Sequence, residues 1–269
     1  MNLQMDTTQL SRFKSSSQRA RVLTELWGAS NLYCANCSTE RLTQARPNTE
    51  AIDYSCEGCS ATFQLKSQRS PLRGRVVDAG YEAMCRAVRA NRTPNLFVLR
   101  YDSISWSVLD VLLVPAFAFS LSAVEKRKPL SETARRAGWV GCNILLDSIP
   151  VDARIPIITS KMVEDKMFVR AQYQKLAPLK RIEPNLRGWL LDVMQAARSL
   201  RKPEFTIEEI YKSEAHLAQL HPDNMHIKAK VRQQLQKLRD VGLLRFVGDG
   251  VYRWSDSGGW NVSGTDRTN

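Results

Sequence analysis

Four cysteines stand in two Cys-x2-Cys pairs, Cys34/Cys37 and Cys56/Cys59, separated by eighteen residues. Each pair projects two thiolates from a tight knuckle, and two knuckles at this spacing can enclose one tetrahedral Zn²⁺. Four thiolates leave no open position for water or substrate, so the expected role is structural. Chemistry has to come from the neighbours. Asp53 lies three residues before the second knuckle, and Gln64-Leu65-Lys66 begins five residues after it. In one phosphodiester-cleaving arrangement an acid on one strand and an acid or amide on the next hold Mg²⁺. A lysine two residues on, on the same strand face, then brings positive charge to the attacking water and the developing phosphorane. The Asp53 carboxylate and the Gln64 side-chain carbonyl are hard oxygen donors of the kind that ion takes. Alone, Asp-x10-Gln-x-Lys carries little weight. The knuckle inside the interval gives it meaning, because a hairpin pinned by zinc brings both strands together.

The elements that would position these groups follow from local patterns. "AIDYS" and "ATFQLKS" flank the second knuckle as two short β-prone runs, the pattern of a hairpin. Residues 10 to 28 predict an amphipathic helix with Ala20, Leu23 and Trp27 on one side, and residues 78 to 90 a second helix. "NLFVLRYD", "SWSVLDVLLVP" and "RIPIITS" supply further strands, so the first ~175 residues mix helix and strand in an α/β pattern. "LAPLKRIEP", with two prolines, predicts a linker.

Beyond it, Leu186, Trp189, Leu190, Val193 and Ala197 line one side of a helix over 186 to 200. A second helix starts at "FTIEEIYK", where Thr206 and Glu209 have capping-box spacing. A third carries Ile227, Val231, Leu235 and Leu238 in one stripe, and a hairpin turns at Gly248-Asp249-Gly250. Three helices and a hairpin make a winged helix. The expected divisions are 1–180, 181–254 and a disordered tail over 255–269. Opposite the apolar stripe, the third helix presents His226, Ala229, Arg232, Gln233 and Gln236, with Lys228 and Lys230 toward the flanks. Arginine can read guanine, glutamine can read adenine, and alanine can sit against a methyl group.

The 269 residues carry a formal charge of +12, a pI near 9.6 and 43% hydrophobic residues. That balance predicts a folded protein with a polyanionic partner, nucleic acid first. No apolar run reaches the ~18 residues of a membrane span, and "DVLLVPAFAFSLSAV" is interrupted by Pro115. The N-terminus has no apolar run suited to secretion, so the expected location is the cytoplasm. Cys85 and Cys142 are expected in the core.

"KSSSQRARVLTELW", "KPLSETARRAGWVGCNI" and "NMHIKAKVRQQLQKLRDVGLLRF" together closely resemble the DpnI-like family of methyl-directed restriction endonucleases, over nearly the whole chain. The resemblance implies a restriction-endonuclease-like PD-(D/E)xK domain of α/β (α+β) class with an inserted four-cysteine zinc site, followed by a winged helix. It implies cleavage of double-stranded GATC carrying N6-methyladenine, blunt between A and T, with Mg²⁺, and two domains that each bind methylated DNA. By the same likeness the catalytic positions are Asp53, Gln64 and Lys66, and the Leu65 carbonyl is a further Mg²⁺ ligand. Gln64 departs from the family pattern, which has Glu there. The lost charge predicts weaker Mg²⁺ binding or a preference for Mn²⁺. Trp139 falls where the family reads the methyl group, with Arg135 and Arg136 beside it for phosphates or bases. Glu25 is either an accessory metal group or a surface charge. A monomer nicking each strand in turn suits a chain with no evident dimer helix. On the residues alone two other readings stay open: a zinc-ribbon and winged-helix regulator without catalysis, and a nuclease for RNA or DNA ends.

Overall fold

The computed structural model describes residues 1–255 apart from Gln9, Pro47, Asn48, Glu50 and Arg73; the expected tail lies outside the described residues beyond Ser255. The chain divides into two compact units, Met1–Asn185 and a second from Leu186 onward.

The first unit runs α1 (Ser16–Asn31), β1 (Thr43–Gln44), β2 (Tyr54–Ser55), β3 (Thr62–Gln68), β4 (Arg75–Gly80), α2 (Tyr81–Arg89), β5 (Asn95–Asp102), β6 (Ser107–Val114), β7 (Val124–Lys126), β8 (Gly141–Leu145), β9 (Ile155–Thr159), β10 (Met162–Val163) and α3 (Lys166–Leu176). Its larger sheet has the order β1-β2-β3-β5-β6-β9-β10, antiparallel except for the parallel pair β3–β5. A smaller sheet, β4-β8-β7, is antiparallel. Strand β5 sits at the centre of the core: Leu96, Phe97, Val98 and Leu99 are all buried, as an unbroken apolar run requires of a strand covered on both faces.

Alternation along β3 decides what each face meets. Phe63 stacks on Phe97 with ring centroids 5.2 Å apart, and the Thr24 hydroxyl of α1 bonds Ser67 Oγ, so this face turns toward α1. Gln64 and Lys66 occupy the other face, where β4 and α2 approach. Helix α1 buries Ala20, Leu23 and Trp27, the side expected from its periodicity. It lies close on β2 because Gly28 has no side chain: the Tyr54 hydroxyl donates to the Glu25 carbonyl at 2.7 Å. A Cβ at Gly28 would stand 2.9 Å from Tyr54 Cζ.

Two expectations are corrected in this unit. The helix over 78 to 90 begins only at Tyr81, because residues 75 to 80 extend as β4 and pair with β8. The linker at "LAPLKRIEP" is ordered: Ala177–Arg181 form a 3₁₀ turn with Leu179 buried, and Pro184 opens the next helix.

That helix is α4 (Pro184–Ser199), which spans the division. The second unit continues with β11 (Glu204–Thr206), α5 (Ile207–Tyr211), α6 (Glu214–Leu220), α7 (Ile227–Asp240), β12 (Leu244–Gly248) and β13 (Val251–Trp254). The single middle helix of the sequence reading is two short helices, preceded by a strand that joins the wing in the order β11-β13-β12. The Thr206–Glu209 capping box is present. Gly248, Asp249 and Gly250 all have positive φ, which makes the tight wing turn. His221, at the end of α6, donates to or accepts from Asp192 of α4 at 2.8 Å and stacks on Trp189, fixing the turn that launches α7.

Gly28→Ala should lower the unfolding free energy by about 1–3 kcal/mol in a denaturant titration, an overpacking cost larger than the helix-propensity gain of alanine.

Candidate active site and nucleic-acid interface

The four cysteines converge. Cys34 Sγ lies 3.6 Å from Cys59 Sγ, Cys37 Sγ lies 3.5 Å from Cys56 Sγ, and all four sulfurs fall within 4.8 Å of one another. Zn–S bonds of about 2.3 Å in a tetrahedron place sulfurs about 3.8 Å apart, so the donor set fits that ion. A hydrogen bond with the Thr39 hydroxyl brings the Cys37 thiol down to about 6, while burial pushes Cys34 up. Asn36 Nδ2 donates to Cys59 Sγ at 3.2 Å, and Lys180 Nζ donates to Asn36 Oδ1 at 2.6 Å. Helix α3 clamps the first knuckle: Arg170 donates to the carbonyls of Cys34 and Thr39, Gln174 to that of Asn36, and Lys166 and Arg170 pair with Glu40. None of these α3 and Lys180 contacts was foreseen from the sequence, because they bridge more than 100 positions.

The second knuckle closes the β2–β3 hairpin, with Tyr54 opposite Phe63 and Ser55 opposite Thr62. At Asp53 the backbone pairing continues, its N–H donating to the Phe63 carbonyl at 2.9 Å, and a side-chain bond is added to it. The carboxylate Oδ2 accepts the Leu65 N–H at 2.7 Å. The Asp53 side chain therefore sits at Leu65, between Gln64 and Lys66 in sequence. A residue in an extended strand points its N–H and C=O to the same side, so the Leu65 carbonyl faces the side on which Asp53 stands. Gln64 is buried at 9% exposure and Lys66 partly so, both lining a cleft of about 600 Å³ with Asp78, Arg86 and Arg92. Glu25 is paired with Arg21 at 2.8 Å, one turn away on α1.

Asp78 was missed by the sequence reading, which placed it in a helix. It lies 2.6 Å from Lys66 Nζ, an ion pair whose angle does not make a directed hydrogen bond. The signal that could have found it was the acid inside "VVDAG", an otherwise apolar run ending in glycine.

Trp139 closes the loop between β7 and β8, where Leu130 and Trp139, and Gly138 and Leu130, exchange backbone bonds. Its indole lies over the glycine pair of β4 and β8: a Cβ at Gly141 would be 2.9 Å from the ring, and one at Gly80 3.6 Å from Nε1. Any side chain at Gly141 would displace it. The Arg136 guanidinium is 5.0 Å from the indole centroid, and Arg135 and Arg136 are exposed.

On α7, Ile227, Val231, Leu235 and Leu238 are buried, while His226, Lys228, Ala229, Arg232, Gln233 and Gln236 are exposed. Lys228 is 3.6 Å from the Glu214 carboxylate, and Lys230 leans over Trp189. No helix among the described residues is long and apolar enough to cross a membrane.

A mixed α/β unit with a four-cysteine cluster, joined to a helix-turn-helix unit whose helix α7 exposes a basic and amide-rich face, defines a class of DNA-binding protein. The Dam-replacing (DpnI) family model matches residues 1–182, and the Dam-replacing HTH domain matches residues 185–254. The chain belongs to the Dam-replacing family.

One zinc per chain is expected by metal analysis, and Cys56→Ser should cost more than about 4 kcal/mol of stability, as loss of a structural metal does. Amide exchange in α3 should accelerate on chelation, since α3 is bound to the knuckle the metal closes.

Proposed function

We propose that the chain is a methylation-dependent endonuclease that hydrolyses double-stranded DNA at G(N6-methyl-A)TC, with the first unit a PD-(D/E)xK-type nuclease domain and the second a winged helix that also checks the site. The observation that carries this reading is the β2–β3 hairpin, on which Asp53 is bound to the backbone of Leu65 between Gln64 and Lys66, beside a cleft that also holds Arg86 and Arg92.

Asp53, the Gln64 side-chain oxygen and the Leu65 carbonyl would hold Mg²⁺, or Mn²⁺ in its place. Bound there, the ion supplies Lewis-acid stabilisation of charge on the scissile phosphate. The protein's own contribution is positional. Leu65 N–H occupies one carboxylate oxygen of Asp53 and fixes the other. Lys66, on the cleft face, adds a positive charge for the developing phosphorane and orients the attacking water. Zinc shapes the hairpin and does no chemistry.

Trp139 offers an apolar surface for the methyl group of N6-methyladenine, with Arg135 and Arg136 serving phosphates or base edges. Arg136 must leave the indole for a methyl group to replace it on that face, an exchange costing about 0.5–1 kcal/mol at an exposed site. On α7, Arg232 and Gln233 are placed for base edges, Ala229 for a methyl group, and His226 and Lys228 for the backbone.

Gln64 favours one rival reading, a methyl-DNA reader without catalysis, because the site then has a single carboxylate among the proposed ligands. Incubating the protein with one plasmid prepared with and without adenine methylation separates the two. Cleavage confined to the methylated plasmid, in Mg²⁺ or Mn²⁺, is expected; a bound but intact methylated plasmid would leave the reader. Gln64→Glu should lower the Mg²⁺ concentration for half-maximal cleavage several-fold, and Lys66→Ala should abolish cleavage while leaving binding in a shift assay.

A further inference from the structure

Lys66 carries its charge on a four-carbon stem with freedom to turn, and Asp78 is the group that meets it. The Asp78 side chain is 3% exposed and its Oδ1 lies 2.6 Å from Lys66 Nζ. Among the described residues lining the cleft it is the only carboxylate, facing Lys66, Arg86 and Arg92. A buried carboxylate is costly without a counter-charge, so Asp78 holds the partly buried Lys66 ammonium beside it.

Asp78 is itself held. Val76 pairs with Ile144 and Val77 with Asn143, but the next pair is Gly80 with Gly141, so β4 carries one residue more than β8 across Asp78–Ala79. Such a bulge re-aims side chains where a regular ladder would not put them. Cys142, fully buried opposite it, donates its thiol to the Ala79 carbonyl at 3.4 Å. At the outer end of β4, Arg75 forms a two-bond pair with Glu125, which also accepts from Asn143, and these contacts hold the Glu125 carboxyl down at about 2. The bulge is therefore braced on both sides, and Asp78 has one direction in which to point.

We propose that Asp78 is the positioning residue for Lys66, delivered by the β4 bulge to hold the lysine's ammonium at the edge of the Asp53–Gln64 site, so that Lys66 meets the scissile phosphate from a fixed position. The inference rests on the endonuclease reading of the site. It gives the bulge a function: a carboxylate from the small sheet sets the aim of a side chain on the large one.

The test compares wild type, Asp78→Asn and Asp78→Glu in single-turnover cleavage of methylated duplex, alongside shift-assay binding and thermal melting. Wild type must cleave; if it does not, the endonuclease reading fails before this inference is reached. With wild type active, Asp78→Asn should cleave about a hundredfold more slowly, the loss expected for a group displaced by about 1 Å, while DNA affinity stays within about twofold and melting within a few degrees. Asp78→Glu, which restores a carboxylate to the cleft, should recover at least about a tenth of the wild-type rate. Cleavage by Asp78→Asn at the wild-type rate would overturn the inference. So would a joint loss of cleavage, binding and thermal stability that Asp78→Glu does not repair, which would make Asp78 a structural residue only.

Discussion

The convergence of four thiols on one point is the constraint on which the first unit depends. It ties Cys34–Cys37, at the end of α1, to Cys56–Cys59, at the turn of the β2–β3 hairpin. Strand β2 is only two residues long, too short to hold a register by backbone bonds alone. With the second knuckle closed, Tyr54 is held opposite Phe63, and Asp53 one residue earlier is brought to Leu65. Through Arg170, Gln174 and Lys180, the first knuckle also fixes the helix and turn that end the unit. A cluster of four thiols thus determines where the Asp53 carboxylate stands.

The second organising feature is a division of labour between sheets. The seven-stranded sheet supplies rigidity through β5 and presents Gln64 and Lys66 on one face. The three-stranded sheet brings two things to that region on a single strand: Asp78 against Lys66, and Gly80 beneath the Trp139 indole. One residue, Ala79, separates them. The absence of a side chain at Gly141 leaves room for the indole, since a Cβ there would stand 2.9 Å from the ring.

What could be read from the sequence was what short spacing encodes. The Cys-x2-Cys knuckles, the capping box at Thr206 and Glu209, and the stripe Ile227, Val231, Leu235 and Leu238 each depend on residues within a few turns, and each lies as expected. The small sheet was not legible, because β4 and β8 pair residues some sixty positions apart and β7 is three residues long. Asp78 was assigned to a helix for that reason: nothing local distinguishes the end of a bulged strand from the first turn of the helix that follows. Prolines at 178 and 184 read as a break, but each occupies an early helical position, where a missing N–H costs little. The end of α6 is likewise set by a tertiary contact, with His221 held by Asp192 and Trp189 of α4.

The ordered turn at Ala177–Arg181 bears on how the two parts of the protein can be separated. Leu179 is buried in the first unit and Lys180 reaches Asn36 beside the cysteine cluster, while the two matched regions meet between residues 182 and 185. An excised first unit that stopped at the end of α3 would lose an internal apolar plug and the donor that orients a thiolate's neighbour. The useful cut therefore lies in a window of about three residues, and a fragment trimmed shorter would misreport what the isolated unit can do.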